Sequence, residues 1–361
     1  MYQEISPGEV ASEFYTKIDS DHVRCDLCPR YCVLKEGQRG FCFVRMAQNG
    51  QIVMTSYGRS SGFCIDPIEK KPLNHFYPGT PVLSFGTAGC NLGCNFCQNW
   101  DLSKAKEHSR LLQQAYPKAI AQAAVAAQCK SVAFTYNDPV VFFEYAIDTA
   151  IACREQKIEP VVVSAGYIND KPREQFFAPM SAANIDLKAF DANFYRKYCL
   201  AELEPVKETL IYIKQKTNVW LEITTLLIPE ANDSELEIGK MCEWILEALG
   251  PTVPVHFTSF HPDYKLTDRR ATSAATLKRA RQQALNLGLH YVYTGNVYDP
   301  DGQSTLCPNC QQVVIGRNGY DISTWAIDDN GGCLNCHTTI SGHFEKTPGS
   351  WGAKRQSIVI K

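Results

Sequence analysis

No apolar run in this 361-residue chain approaches the roughly 20 residues needed to cross a bilayer, so no membrane span is expected. Neither sign of charge is in excess. Lys and Arg number 36 against 38 Asp and Glu, the net charge is −2, and the charges are spread along the sequence. Without a basic face, neither a nucleic-acid partner nor a membrane surface is expected. The first residues, Met-Tyr-Gln-Glu-Ile-Ser-Pro, lack the basic stretch and apolar core of an export signal. There is no repeat of solenoid type and no low-complexity segment. A hydrophobic content of 45% is enough for one large domain or two smaller ones. Cysteine, by contrast, is abundant, with sixteen in the chain. Disulfide frameworks belong to small exported domains. This chain is large, shows no export signal, and carries most of its cysteines in metal-ligand spacing. Bound metal in a reducing cytoplasm is therefore the expected state.

The most informative run is Gly-Cys-Asn-Leu-Gly-Cys-Asn-Phe-Cys-Gln-Asn-Trp at residues 89–100. Cys90, Cys94 and Cys97 form a C-x3-C-x2-C triplet. Three thiolates can hold three irons of a [4Fe–4S] cluster and leave the fourth without a protein ligand. An open iron can bind a small molecule and pass it an electron, whereas a four-cysteine site stores or relays electrons. The competing reading is zinc with a fourth ligand elsewhere. Zinc sites usually arrive as C-x2–4-C pairs with a second pair downstream, and none lies near this triplet.

The rest of the chain divides into four stretches. Residues 1–80 are expected to be loop-rich, with Cys25, Cys28, Cys32 and Cys42 set among Gly and Pro turns as a closed metal knuckle. Tetrahedral zinc is expected there, because the run typical of ferredoxin inserts is absent; the alternative is a second iron–sulfur cluster. Asp66 to Gly79 contains three prolines and no period, so it reads as an ordered connector. Residues 81–300 alternate short apolar runs with helical stretches, among them 119–127, 140–153, 233–249 and 276–287. Such alternation implies an α/β fold with a parallel sheet and right-handed crossovers. Residues 301–345 carry Cys307-x2-Cys310 and Cys333-x2-Cys336 around a hairpin expected to turn at Asn318-Gly319, the pattern of a zinc ribbon. Residues 346–361 read as a flexible tail. Five thiols remain. Cys129, Cys153 and Cys242 fit as small buried hydrophobes. Cys64 competes with Cys42 as a ligand, and Cys199 is placed to approach the ends of the strands.

Several strings occur in order along residues 22–340. They are Cys25-x2-Cys28-Pro-Arg-x-Cys32, Asp66-Pro-Ile-Glu-Lys-Lys-Pro-Leu, the triplet loop, Thr135-Tyr-Asn-Asp-Pro, Asn184-Ile-Asp-Leu-Lys-Ala-Phe, Thr224-Thr-Leu-Leu-Ile-Pro, His256-Phe-x2-Phe-His-Pro and the terminal double knuckle. Together they resemble the radical S-adenosylmethionine (SAM) proteins of the AmmeMemoRadiSam system, relatives of the activases of glycyl-radical enzymes such as pyruvate formate-lyase. That resemblance implies a partial (β/α)6 barrel with its chemistry at the C-terminal strand ends. It implies a [4Fe–4S] cluster on Cys90, Cys94 and Cys97, SAM on its free iron, and reduced flavodoxin or ferredoxin as electron donor. The expected activity is reductive cleavage of SAM to a 5′-deoxyadenosyl radical that abstracts hydrogen, from a protein substrate if the activase analogy holds. An AMMECR-like or Memo-like protein is the implied partner. Modification of a small molecule or a peptide side chain stays open as the alternative, and a non-catalytic iron–sulfur and zinc scaffold is the third reading.

The resemblance also points to SAM contacts. Asp138 stands where the family usually has Glu, one methylene longer, to meet the SAM ammonium; a backbone carbonyl or a simple turn-forming role are the alternatives. Asp186 and Lys188 lie on one face of a strand and need each other or a ligand. Ser164 sits at a turn similar to one in the activases, with Ala165 in place of the usual Asn. His256 looks like the activase histidine beside SAM, or else a core histidine. Glu222, Thr224 and His261 are unranked candidates for substrate contact.

Overall fold

The computed structural model describes residues 1–104 and 113–360. Its centre is a nine-stranded sheet. The strands are β1 (Phe63–Pro67), β2 (Pro81–Phe85), β3 (Ser131–Phe134), β4 (Glu159–Ser164), β5 (Ala182–Asp186), β6 (Trp220–Leu227), β7 (Val255–Ser259), β8 (Val292–Gly295) and, after a C-terminal hairpin of β9 (Val313–Asn318) and β10 (Asp321–Trp325), β11 (Gln356–Ile358). From β2 to β8 the strands pair in chain order, all parallel; β1 joins β2 antiparallel, and β11 joins β1 antiparallel. The parallel strands are almost wholly buried, as their continuous apolar runs require of a sheet covered on both faces. Helices lie between them: α1 (Pro117–Ala126), α2 (Phe143–Glu155), α3 (Asp170–Phe177), α4 (Glu204–Lys216), α5 (Glu235–Leu249) and α6 (Ala274–Asn286). Six βα units thus lead from β2 to β8, and the sheet keeps two free edges, so it is a partial barrel.

Local signals set several boundaries. The Ser234 hydroxyl accepts from the Glu237 amide and starts α5, and Gly250 at φ +86° ends it before Pro251. The cap is thus one residue past Asp233. Ser273 caps α6 by accepting from the Thr276 amide, which starts that helix two residues earlier than 276. Helices α3 and α4 are short or polar at their starts and went unread in the sequence.

Three segments differ from expectation. The N-terminal stretch holds a four-stranded sheet that includes Arg45–Gln48 and Gln51–Met54 and a three-stranded sheet that includes His22–Cys25, so it is less loop-rich than its Gly and Pro content implied. Its Val23, Leu34, Val44 and Ile52 join the barrel core. The connector begins as strand, because Asp66 and Pro67 end β1, where the missing Pro amide costs little. The tail is not free either. The Gly349 and Trp351 amides donate to Pro78 and Gly79 carbonyls, and 356–358 cover the open edge of β1, whose unpaired backbone groups favour a partner strand.

Candidate iron–sulfur and cofactor site

The triplet loop leaves the C-terminal end of β2 directly. Asn137, which follows β3, holds it in place. Its Oδ1 accepts from the Thr87 amide at 2.9 Å, and its Nδ2 donates to the Gly89 and Ala88 carbonyls at 2.8 and 3.2 Å and to Thr87 Oγ1 at 3.3 Å. Gly89 has φ +78°, and a Cβ there would lie 1.9 Å from the Cys42 carbonyl oxygen, so only glycine fits. Farther along, the Gly93 and Asn95 amides donate to the Cys199 and Tyr198 carbonyls, and Lys104 Nζ donates to the Leu92 carbonyl at 2.6 Å.

Cys90, Cys94 and Cys97 line a cavity of about 850 Å³ at the C-terminal ends of the strands, a size that admits a cofactor and a substrate. The three sulfurs do not form a group within 4.8 Å of one another, which suits a four-iron cluster standing between them better than a single ion. Burial pushes the Cys90 thiol up to about 12, and Cys97 is raised for the same reason. Cys94 moves the other way. A hydrogen bond with Cys199 lowers it, and Lys188 and Lys104 add to that against burial. Cys199 lies in the π-turn Tyr195–Cys199 after β5, so the structure places this thiol against the cluster loop itself.

Asp138 caps the turn after β3 and lines the same cavity. Its carboxylate accepts from the Val140 amide at 3.0 Å, the Ala165 amide at 2.8 Å and the Ser164 hydroxyl at 3.0 and 3.2 Å. Burial still raises its pKa. Asp138 and Ser164 therefore tie the ends of β3 and β4 together beside the cavity. Asp186 and Lys188 also face it and pair with each other at 2.7 Å. Burial opposes the Lys188 charge, but Asp186 and Cys94 outweigh it and raise its pKa. Thr224 lines the cavity too, and its buried Oγ1 has no protein partner.

His256 is not brought to the cavity. Thr258, the next residue on the same face of β7, lines it instead. His256 Nε2 donates to Glu222 at 2.7 Å, and Glu222 also accepts from the Asn74 and His75 amides and from Trp220 Nε1. Burial would raise the Glu222 pKa, but His256 and its other donors hold it below the usual range. With four donors around it, Glu222 closes the barrel's inner layer with His256, and neither reaches the strand ends. His261 is exposed, with Nδ1 3.0 Å from Gln98 Nε2 of the cluster loop.

The far wall of the cavity was not anticipated. Asp66 accepts from Lys71 Nζ and from the Tyr136 hydroxyl, each at 2.9 Å, and Lys70 lies at 3.4 Å. Arg355, from the tail, lies 3.3 Å from Cys64 Sγ and 4.0 Å from Asp66. Three cations around one carboxylate leave this wall basic. Cys64 is part of it and does not replace Cys42 at the N-terminal knuckle. A string such as Glu-Lys-Lys marks two of these residues, but only the folded tail adds the third.

At the other end of the chain the two C-x2-C knuckles meet. Cys307 and Cys336 sulfurs are 3.5 Å apart, Cys310 and Cys333 are 3.7 Å apart, and all four lie within 4.8 Å. The hairpin β9–β10 between them turns at Gly319, φ +63°. No helix among the described residues is long and apolar enough to cross a membrane.

Residues 85–242 match the family model of the radical SAM superfamily. An uncharacterized protein of Methanocaldococcus jannaschii is 42% identical over 315 residues, covering 87% of this chain and 93% of its own. Among solved structures, a domain of a pyruvate-formate lyase-activating enzyme from Bacteroides vulgatus aligns at 19% identity and TM-score 0.41, over 46% of this chain and 99% of that one. A radical SAM methyltransferase from Sphaerobacter thermophilus aligns at 13% identity and TM-score 0.49, over 81% of this chain and 76% of that one. With the cysteine triplet on the first barrel loop and a cavity at the strand ends, residues 85–242 of this chain form a domain of the radical SAM superfamily.

Proposed function

We propose that this protein is an enzyme that reductively cleaves SAM and uses the resulting 5′-deoxyadenosyl radical to abstract hydrogen from a substrate. The observation that carries this reading is the set of three thiols bordering one large cavity beside the Asp186–Lys188 pair. A [4Fe–4S] cluster bound by Cys90, Cys94 and Cys97 supplies the electron and, at its open iron, a place for SAM. The chain's own part is binding and orientation. Lys188, kept charged by Asp186, is the group for the SAM carboxylate. Asp138 and Ser164 hold the strand ends that frame the cofactor.

The activating-enzyme reading takes the substrate carbon to be a glycine α-carbon of a partner protein, with an AMMECR-like or Memo-like protein as partner and the AmmeMemoRadiSam system as the setting. It rests on analogy of fold and motif, which carries less weight than the site. Reduced flavodoxin or ferredoxin is the donor in this reading, and the cytoplasm its location. The C-terminal thiols are assigned to structural zinc, since tetrahedral bonds of about 2.3 Å place sulfurs about 3.8 Å apart.

The test is anaerobic reconstitution with iron and sulfide, reduction with dithionite, addition of SAM and chromatography for 5′-deoxyadenosine. Product is expected from the wild type and none from Cys94→Ala. Protein with a reduced four-iron cluster that neither forms product nor binds SAM would sink the reading. Hydrogen transfer into 5′-deoxyadenosine with no stable protein radical would favour a small-molecule or peptide substrate over glycyl-radical activation.

A further inference from the structure

Cys25, Cys28, Cys32 and Cys42 line one cavity, with Arg45 and Asn91 also in its wall. The spacing of these cysteines suggests zinc, but their geometry does not. Among the described residues, the only group of three or more ligand atoms that all lie within 4.8 Å of one another is the C-terminal set, whose sulfurs approach to 3.5 and 3.7 Å. Tetrahedral zinc needs all four sulfurs about 3.8 Å apart. The N-terminal thiols are spread around a cavity, and in that respect they match Cys90, Cys94 and Cys97. One chain therefore contains two kinds of cysteine site, one drawn together for a single ion and one held open for something larger.

We infer that Cys25, Cys28, Cys32 and Cys42 hold a second [4Fe–4S] cluster. With four protein thiolates its irons are all occupied, so it binds no substrate and serves to hold and pass an electron. Its position suits that task. The Cys42 carbonyl packs against Gly89, the residue before Cys90, and Asn91 of the triplet loop borders the four-thiol cavity. Arg30 spans the same junction by donating to the Asn91 and Leu200 carbonyls. A low-potential one-electron carrier protein reduces this cluster, and the electron moves on to the neighbouring one. No bond is made or broken in the transfer.

The test uses the full chain with Cys90, Cys94 and Cys97 all changed to Ala, reconstituted anaerobically with iron and sulfide. Because this variant lacks the SAM site, its result is independent of the proposed SAM chemistry. It is expected to keep about four irons and four sulfides, and to give on reduction the electron paramagnetic resonance signal of a four-iron cluster that SAM does not alter. Loss of all iron, with about two zincs per chain, would overturn the inference. A second variant, Cys28→Ala with Cys32→Ala, should lower the iron of the reconstituted protein from about eight to about four and leave a SAM-sensitive signal. Should that variant fail to fold, the triple variant decides alone.

Discussion

Asn137 shows how one side chain outside the cysteine pattern governs the cluster site. It makes four hydrogen bonds to Thr87, Ala88 and Gly89, and all of them are buried. Asn137→Ala would strand the Thr87 amide and two carbonyls, at about 1–3 kcal/mol for a buried unsatisfied group. The expected outcome is a loop that loses iron on gel filtration while helical content stays that of the wild type. Iron held as firmly as in the wild type would show that the loop is secured by other contacts. At the same scale, Cys94→Ala should abolish SAM-dependent product and leave the metal content of the C-terminal knuckles unchanged, because those four sulfurs form a separate site. Equal loss of zinc would show that the division of the cysteines is mistaken. The cysteines were legible because ligand spacing is local in sequence. Asn137 was not, since its partners lie some fifty positions away and a Thr-Tyr-Asn-Asp-Pro string reads equally well as a turn.

At the scale of elements, β11 does more than cover an edge. It pairs with β1 from Gln356 to Ile358, and Arg355, just before it, reaches Cys64 and Asp66 across the cavity wall. Truncation after Gly352 removes both. Cys64 lies in β1 and is buried in the intact chain. We expect the truncated protein to label at Cys64 with iodoacetamide much faster than the full chain, read by mass spectrometry of the Cys64 peptide, and to melt at a lower temperature. Unchanged labelling would mean that the strand does not control access to this wall. The tail's composition of Pro, Gly, Ser and basic residues pointed to flexibility. Strand pairing at an edge depends on an open neighbour, and that neighbour is nearly 300 residues earlier.

For the whole molecule, the barrel and the C-terminal module are joined through a buried polar chain. His75 Nδ1 lies 2.6 Å from the Ser341 carbonyl, which can only accept, so that nitrogen carries the proton. His75 Nε2 then accepts from the Tyr293 hydroxyl, and Thr305 donates to Tyr293 at 2.8 Å. Arg317 donates to Thr305 and to the Asn74 carbonyl. Burial lowers the His75 pKa from 6.5 to about 4, so the ring stays neutral in the fold. The unfolded chain takes up a proton below about 6.5 and the folded one only near 4. Stability is therefore fully present above pH 6.5 and declines as pH falls between those values, by on the order of 3 kcal/mol. Denaturation of wild type and His75→Asn across that range should show a shallower pH slope in the variant. Identical slopes would refute the assignment.

Sequence alone determined what depends on near neighbours: the spacing of the cysteine triplet and of the paired knuckles, the βα alternation, and four of the six barrel helices to within three residues at each end, each set by spacing, caps or periodicity within a few residues. It also put Asp186 and Lys188 together by strand alternation, and they do pair at the cavity, although β5 ends at Asp186 and Lys188 lies just beyond it. Tertiary structure decided what depends on distance in space. It set His256 on Glu222 in the inner layer while Thr258 took the cavity, it turned the tail into a strand, and it brought Cys199 to Cys94. It also held Cys25, Cys28, Cys32 and Cys42 open where the C-terminal thiols close together. The same C-x2-C spacing serves both sites. The separation of the sulfurs follows from how the surrounding strands pack, and a linear motif carries no measure of that.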